Sequence, residues 1–291
     1  MPDWMAECIT LAQHRWVRAL LGNLWHGAWV AFTVFCLIYL LERLTGERTT
    51  QYTTRNFRND LVFWFYYHSG VHDFFLALLI FAFLEQQVAF LRLPLDGLPL
   101  VGRYILYWVI FDFIGYWCHR MLHTNRYLWA LHLMHHSQEI LTFPTGIRVH
   151  PLENVFVFCV KFLPLAMIGV QPTIWLSVDF VLRMVPDAFQ HTEIAWRMGP
   201  LYRILVSPSF HSFHHSVKPE HHNKNFGISL SLWDFLFGTG IDEPERARVY
   251  GIQGVSWPTV RSQLTEPLRM IHGMLRDSKG SPQPIAQTRK T

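Results

Sequence analysis

The chain has 291 residues, of which 51% are hydrophobic and 16% are charged, and its formal net charge is +4. Soluble domains average about 25% charged residues, so this composition argues against an ordinary soluble fold and favours a protein with several membrane spans. The charge is small and the basic residues form no block, so nucleic acid is excluded as a predicted partner.

Apolar runs predict four or five membrane segments, since a helix needs about 20 apolar residues to cross the hydrocarbon core. The runs cover residues 23–41, 61–90, 100–118, 155–170 and 173–185. Basic residues among apolar positions in residues 1–22 predict a helix that lies on the membrane surface. Residues 23–240 are therefore predicted to form the membrane-embedded domain, an all-α helical bundle with a helical cap. Residues 241–291 form a C-terminal extension, predicted to be disordered from about residue 276.

The arginines are distributed unequally between the two sides of this predicted bundle. If the second and third runs both cross the membrane, the 42–60 loop and the region after residue 118 lie on the same face. That face carries most of the arginines, whereas Arg92 and Arg103 lie on the other. The positive-inside rule therefore places the region after residue 118, including the cap, on the cytoplasmic side.

Three histidine clusters follow the third apolar run. They are His119-x-x-x-His123, His132-x-x-His135-His136 and His211-x-x-His214-His215. Positions i, i+3 and i+4 share a helix face, so we expect the three imidazoles of each HxxHH pattern to point at one spot and bind metal. Because a tetrahedral zinc ion takes about four ligands, these imidazoles favour a site for two ions. Imidazole suits iron, zinc and copper alike, so the ligand type does not name the metal.

A polar stripe leads along the third run into the first cluster. Asp112, Tyr116, His119 and His123 are spaced by four, three and four residues, so they share one helix face. A carboxylate near a metal-bound histidine can accept the second ring N–H. We predict this role for Asp112 and a place beside the ligands for Tyr116. The alternative for Asp112 is an ion pair with an arginine such as Arg120.

The clusters lie within longer motifs. These motifs are residues 112–123, 131–137, 148–153, 208–216, 225–227 and 233–239. In order, spacing and flanking residues they closely resemble the fatty acid hydroxylase/sterol desaturase superfamily over roughly residues 100–240. The resemblance implies an integral membrane enzyme with two non-haem iron ions, which uses O2 and electrons to hydroxylate or desaturate a lipid C–H bond.

The resemblance also implies which histidines bind the metal. The eight box histidines are His119, His123, His132, His135, His136, His211, His214 and His215. His191 occupies the place of a further histidine that commonly joins them in this family. His150 and His222 are additional candidates. The alternatives are that His150 only orients a loop and that His222 is solvated.

The remaining expectations concern partners and competing functions. The sequence has no GxGxxG motif for a nucleotide cofactor and no CxxCH motif for haem, so electrons have to come from an external donor. A ferredoxin, or a cytochrome b5-like protein with its reductase, fits this role, and the lipid substrate enters from the bilayer. Two alternatives stay open: a zinc-dependent membrane hydrolase that uses Glu139 or Glu153, and a metal transporter. The sequence does not identify the lipid.

Overall fold

The structure is a computed structural model. It describes residues 25, 28–30, 32–47, 50–68, 72, 93, 95, 97–168, 185–243 and 245–277. These residues form helices, turns and loops, and among them there is no β-strand beyond one antiparallel bridge between Ser216 and Tyr250. The predicted all-α class is therefore confirmed for the described part of the chain.

The helices follow the order of the sequence motifs. The α-helices are α1 (Arg55–His68), α2 (Leu100–Thr124), α3 (Arg126–His136), α4 (Pro151–Ile168), α5 (Pro208–His214), α6 (Leu232–Leu236) and α7 (Val260–Arg276). Short 3-10 helices cover Thr50–Thr53, Phe143–Ile147, Gly199–Arg203 and Pro219–His221. Residues 32–44 and 185–190 are helical as well.

The predicted membrane segments map onto this helix pattern only in part. The run at 100–118 lies within α2, and most of the run at 155–170 lies within α4. Most of the runs at 61–90 and 173–185 lies outside the described residues, as do residues 1–22 and 278–291. Among the helices that the structure describes, none is both long enough and apolar enough to cross a membrane.

One asparagine makes the sharp corner between α2 and α3. Asn125 has an extended backbone (φ −96°, ψ 121°) that ends α2, and it is also the N-cap residue of α3. Its side-chain oxygen accepts hydrogen bonds from the backbone N–H groups of Tyr127 and Leu128. Asparagine is a preferred N-cap because it satisfies these otherwise unpaired donors. The corner turns the first histidine cluster, at the end of α2, toward the second, on α3.

Two apolar clusters hold α1 and α7 against the histidine-bearing helices. Trp64 of α1 packs on Phe143 at 5.1 Å between ring centroids, in a core that includes Phe57. Met134 of α3 is fully buried beside Phe63 of α1, with Leu264 of α7 packed against them. Helix α7 is therefore part of the same packed unit as the histidine motifs, because its side chains pack against this buried cluster.

Candidate dimetal centre

Nine histidines converge into two groups. Group 1 consists of His119, His123, His132, His136 and His214, and group 2 consists of His135, His191, His211 and His215. Within each group the nitrogen atoms able to bind a metal lie within 4.8 Å of one another. The structure thus brings together the eight box histidines and His191.

Each HxxHH motif is divided between the groups, which corrects the expectation that its three imidazoles point at one spot. His132 and His136 belong to group 1, whereas His135 belongs to group 2. In the third cluster the division is reversed, because His211 and His215 belong to group 2 and His214 to group 1. Residues at i+3 and i+4 are about 100° apart around a helix, so adjacent histidines diverge.

Hydrogen bonds at Nδ1 fix the orientation of five imidazole rings. In group 1 the Nδ1 atoms of His119 and His214 contact the carbonyl oxygens of Phe226 and Lys224, both at 2.9 Å, and His132 Nδ1 contacts Glu153 Oε1 at 2.8 Å. In group 2 the Nδ1 atoms of His135 and His191 contact the carbonyl oxygens of Thr145 and Asp187, at 3.1 and 2.7 Å. A carbonyl can only accept, so Nδ1 carries the proton and Nε2 keeps the lone pair that binds metal.

The unpaired atoms fit metal ions. In group 1 the Nε2 atoms of His123, His132, His136 and His214 are buried and have no hydrogen-bond partner among the residues that the structure describes. In group 2, His211 Nε2 lies 2.9 Å from His191 Nε2 and 3.0 Å from His215 Nε2. Metal–nitrogen bonds of about 2.1 Å place neighbouring ligands about 3.0 Å apart in octahedral and about 3.4 Å apart in tetrahedral geometry. The spacing in group 2 is therefore compatible with a six-coordinate ion.

Burial lowers the pKa of most of these imidazoles and so favours the neutral form that binds metal. It lowers the pKa of His214 to about 3, and it lowers the pKa of His136 and His215 well below the ordinary value. Neighbouring imidazoles lower these pKa values further, because one cationic ring disfavours a second. Metal binding therefore does not have to displace protons from most of these rings at neutral pH.

Glu153, rather than Asp112, is the carboxylate that accepts the second ring N–H of a histidine in group 1. Its Oε1 accepts the Nδ1–H of His132 at 2.8 Å, and Glu153 and His132 are both 3% exposed. A buried carboxylate in this position fixes the ring and raises its basicity as a ligand. The signal in the sequence was the Arg148-x-His150-Pro151-x-Glu153 motif, in which Glu153 was considered only as an acid or base of a hydrolase.

Asp112 instead braces the segment that follows the third histidine cluster. Its carboxylate accepts hydrogen bonds from the backbone N–H groups of Ser229 and Leu230 and from Trp233 Nε1. The alternative, an ion pair between Asp112 and Arg120, is not what the structure places here: the Arg120 guanidinium donates to the Tyr116 hydroxyl instead. The contacts support the polypeptide between the third cluster and α6.

Tyr116 lies one helical turn before His119 and is fully buried. Its hydroxyl is 2.9 Å from Thr239 Oγ1, and its ring stacks on Phe237 at 5.4 Å between centroids. Tyr116 thus connects α2 to the end of the 233–239 motif, and its hydroxyl pairs with Thr239 and Arg120 rather than with a box histidine in the part of the chain that the structure describes.

The segment after the third cluster is shaped so that its carbonyl groups face the histidines. Asp234 of α6 accepts the backbone N–H groups of Phe226 and Gly227 at 2.8 and 2.6 Å. A Cβ atom at Gly227 would lie 2.6 Å from the Leu230 carbonyl oxygen, so only glycine fits this close approach. The Phe226 carbonyl is consequently held where it accepts from His119.

The two additional candidate ligands lie outside both groups. His150 uses both ring nitrogens, because Nε2 contacts the Leu264 carbonyl oxygen at 3.1 Å and Nδ1 accepts the Leu152 N–H. This arrangement ties the start of α4 to α7 and agrees with the alternative of a loop-orienting residue. His222 is partly exposed, directly after the 3-10 helix Pro219–His221.

A cavity of about 320 Å³ adjoins both histidine groups. Rings from group 1 and from group 2 form part of its wall, including those of His119, His132 and His191. Leu122 and Val157 provide apolar surface between α2 and α4. The centre is thus reachable from a pocket whose surface suits an aliphatic chain.

Comparisons with known proteins agree with this site. Residues 104–239 match the fatty acid hydroxylase family. The ornithine lipid hydroxylase OlsE of Rhizobium tropici is 29% identical over 86% of this chain and 77% of its own length. Human alkylglycerol monooxygenase is 35% identical over 48% of this chain and 31% of its own length. A rice very-long-chain aldehyde decarbonylase, GL1-6, is 27% identical over 56% of this chain and 28% of its own length.

The chain spans three quarters of the Rhizobium protein but only about a third of the alkylglycerol monooxygenases. No solved structure matches it significantly. The matched segment contains all nine histidines of the two groups. Together, the motifs, the family match and the names of these relatives confirm the predicted class of enzyme, and residues 104–239 form a fatty acid hydroxylase domain.

Proposed function

We propose that the protein is a membrane-associated, O2-dependent lipid hydroxylase whose nine histidines hold two iron ions. The observation that carries this proposal is the division of the nine histidines, eight of them buried, into two groups beside one cavity. When bound, the iron pair supplies the oxidising chemistry that an inert C–H bond requires.

Backbone carbonyl groups and one carboxylate around the histidines orient the rings. Phe226, Lys224, Thr145 and Asp187 each offer a carbonyl oxygen to a ring nitrogen, and Glu153 offers a carboxylate. Burial of these contacts keeps the rings in place before the substrate arrives. Such preorganisation is the protein's main contribution to catalysis by a cofactor.

The substrate is proposed to be a lipid that is hydroxylated on an aliphatic carbon. The relatives are named for ornithine lipids, alkylglycerols and very-long-chain aldehydes, which share long aliphatic chains. Two of the three names denote oxygen insertion, so hydroxylation is favoured over desaturation. The apolar wall formed by Leu122 and Val157 supports an aliphatic substrate.

The proposal includes an external electron donor and a position at the membrane. A ferredoxin, or a cytochrome b5-like protein with its reductase, is the proposed source of electrons, and the lipid is proposed to enter from the bilayer. The histidine groups are proposed to lie at the cytoplasmic face, which is supported by the arginines of the 42–60 loop and of the region after residue 118.

The test is to purify the full-length protein, determine its metal content and supply reductant, O2 and a membrane lipid extract. We expect about two irons per chain and lipid products that are heavier by one oxygen atom, with label incorporated from isotopically labelled O2. Stoichiometric zinc without an O2-dependent product would contradict the proposal and favour a hydrolase. Lipidomics of cells with and without the gene then identifies the substrate.

A further inference from the structure

A buried polar network connects α1 to the second histidine cluster. Asp60 of α1 is fully buried, and its Oδ2 accepts hydrogen bonds from Gln138 Nε2 at 2.6 Å and Thr145 Oγ1 at 3.2 Å. Arg148, 3% exposed, places its Nε 3.3 Å from Asp60 Oδ1. The same guanidinium donates to Ser137 Oγ and to Gln138 Oε1. A buried ion pair with this many partners holds its surroundings in one geometry.

This network holds in place two segments of chain that lie next to His135. Ser137 and Gln138 directly follow the cluster, at the C-terminal end of α3. Thr145 lies in the 3-10 helix Phe143–Ile147, and its carbonyl oxygen is the acceptor for His135 Nδ1 at 3.1 Å. The Thr145 hydroxyl donates to Asp60 and accepts the Thr142 N–H, so the turn is fixed by its side chain as well as by its backbone.

We infer that Asp60 is a positioning residue for the metal ion of group 2, acting through Thr145 on His135. The inference rests on the proposed function, because it requires group 2 to bind an ion of its own. The hydrogen bonds that orient the group 1 rings come from other residues: Glu153, Phe226 and Lys224. Loss of the Asp60 carboxylate therefore weakens one ion selectively.

The first experiment compares iron retention by the wild type and by Asp60→Asn during dialysis against a chelator. Asparagine keeps the size, but its single carbonyl oxygen cannot replace the two carboxylate oxygens that face Gln138, Thr145 and Arg148. Loss of the residue behind a ligand weakens metal binding by about 10- to 100-fold, so we expect Asp60→Asn to keep about one ion where the wild type keeps about two. The matched control is Asp242→Asn, which removes a half-exposed carboxylate paired with Arg197 and Arg203 and is expected to keep both ions.

A second variant keeps the test valid if Asp60→Asn does not fold. Thr145→Val removes the hydroxyl that Asp60 holds but leaves Arg148 its carboxylate, so no buried charge loses its partner. We expect the same loss of one ion. Thr265→Val on α7, whose hydroxyl donates to the Arg261 carbonyl oxygen in its own helix, is the matched control.

Electron paramagnetic resonance separates positioning from a general loss of structure. An isolated ferric ion gives a strong signal, whereas a magnetically coupled pair of ferric ions does not. Asp60→Asn and Thr145→Val should therefore both gain this signal. The ion that gives the signal shows that group 1 still binds metal. Retention of both ions at wild-type affinity, or parallel loss of both ions from folded protein, would overturn the inference. A wild type that binds fewer than two ions contradicts the proposed function itself, and the inference with it.

Discussion

The two histidine groups are oriented by different kinds of structure. In group 1 the contacts come from the carbonyl groups of Lys224 and Phe226 and from Glu153, all within the segment that matches the family. Group 2 depends also on residues outside that segment. Asp60 of α1 supports Thr145 beside His135, and Glu42 accepts the Glu193 N–H two residues after His191.

Arg246 adds a third external support for group 2. Its guanidinium donates to the carbonyl oxygens of Thr192 and Ile194, in the loop that begins with His191. The family motifs therefore contain the ligands of both groups but only part of what orients group 2. Differences among family members outside the motifs are expected to affect the group 2 ion first.

The largest expected effect is the removal of a group 2 ligand. His191→Ala deletes an imidazole whose Nε2 lies 2.9 Å from His211 Nε2, so we expect loss of the group 2 ion and of lipid hydroxylation. His150→Ala is the matched control, because His150 is equally buried but lies outside both groups. It should lower stability by about 1–3 kcal/mol through its lost hydrogen bonds and keep both ions. Metal analysis and product assays check both variants, and an active His191→Ala enzyme would contradict the assignment.

The next effect tests the carboxylate that serves group 1. Glu153→Gln keeps the shape but removes the charge that stabilises the metal-bound His132 ring, so we expect about 10- to 100-fold weaker binding of the group 1 ion. Glu139→Gln, at an exposed position just after the second cluster, should leave both affinities unchanged. Metal titration of the two variants makes the comparison. Equal affinities in Glu153→Gln and wild type would show that the Glu153–His132 contact only packs the helices.

The sequence predicted which histidines converge better than how they divide between the two groups. The nine histidines could be found because short-range periodicity and the family motifs record them directly. Their division could have been derived from helix geometry, since i+4 lies about 40° from i on one side and i+3 about 60° on the other. His136 therefore stays with His132, while His135 turns toward the other group.

Contacts between distant segments could not be predicted from spacing. Asp112 lies on the same helix stripe as His119, yet its carboxylate pairs with N–H groups more than a hundred residues away, at Ser229 and Leu230. Glu153 reaches His132 from another helix, and Asp60 reaches Thr145 from a third. A helix period describes neighbours on one helix, whereas these pairs depend on how the helices pack.

A smaller effect is expected at the turn that serves group 1. Gly227→Ala places a Cβ 2.6 Å from the Leu230 carbonyl oxygen, so the chain must shift and the Phe226 carbonyl moves relative to His119. We expect a loss of stability of about 1–3 kcal/mol. Gly102→Ala is the same substitution in α2, where the nearest atom is 3.8 Å away, and should be neutral or stabilising by up to about 1 kcal/mol. Thermal unfolding of both variants measures the difference, and similar midpoints would contradict the steric argument.

The smallest effect concerns the pH dependence of the contact that supports the His191 loop. Burial raises the pKa of Glu42 to about 7, well above its value in an unfolded chain. The stabilising contribution of a group with a raised pKa is complete at low pH and is lost as pH rises toward the folded value. For Glu42, raising the pH from about 6 to about 7 should cost about 1 kcal/mol.

Glu42→Gln imitates the protonated form and keeps an oxygen for the Glu193 N–H, so it should remove this cost. The measurement is the difference in unfolding free energy between wild type and Glu42→Gln across that pH range. Both proteins are loaded with metal, so that the histidines contribute equally to the pH dependence of the two unfolding free energies. A difference that does not change with pH would show that Glu42 stays ionised in the folded protein. Glu42 contacts the loop that carries His191, which belongs to group 2. Retention of the group 2 ion should therefore follow the same pH dependence. The group 1 ion provides the internal reference.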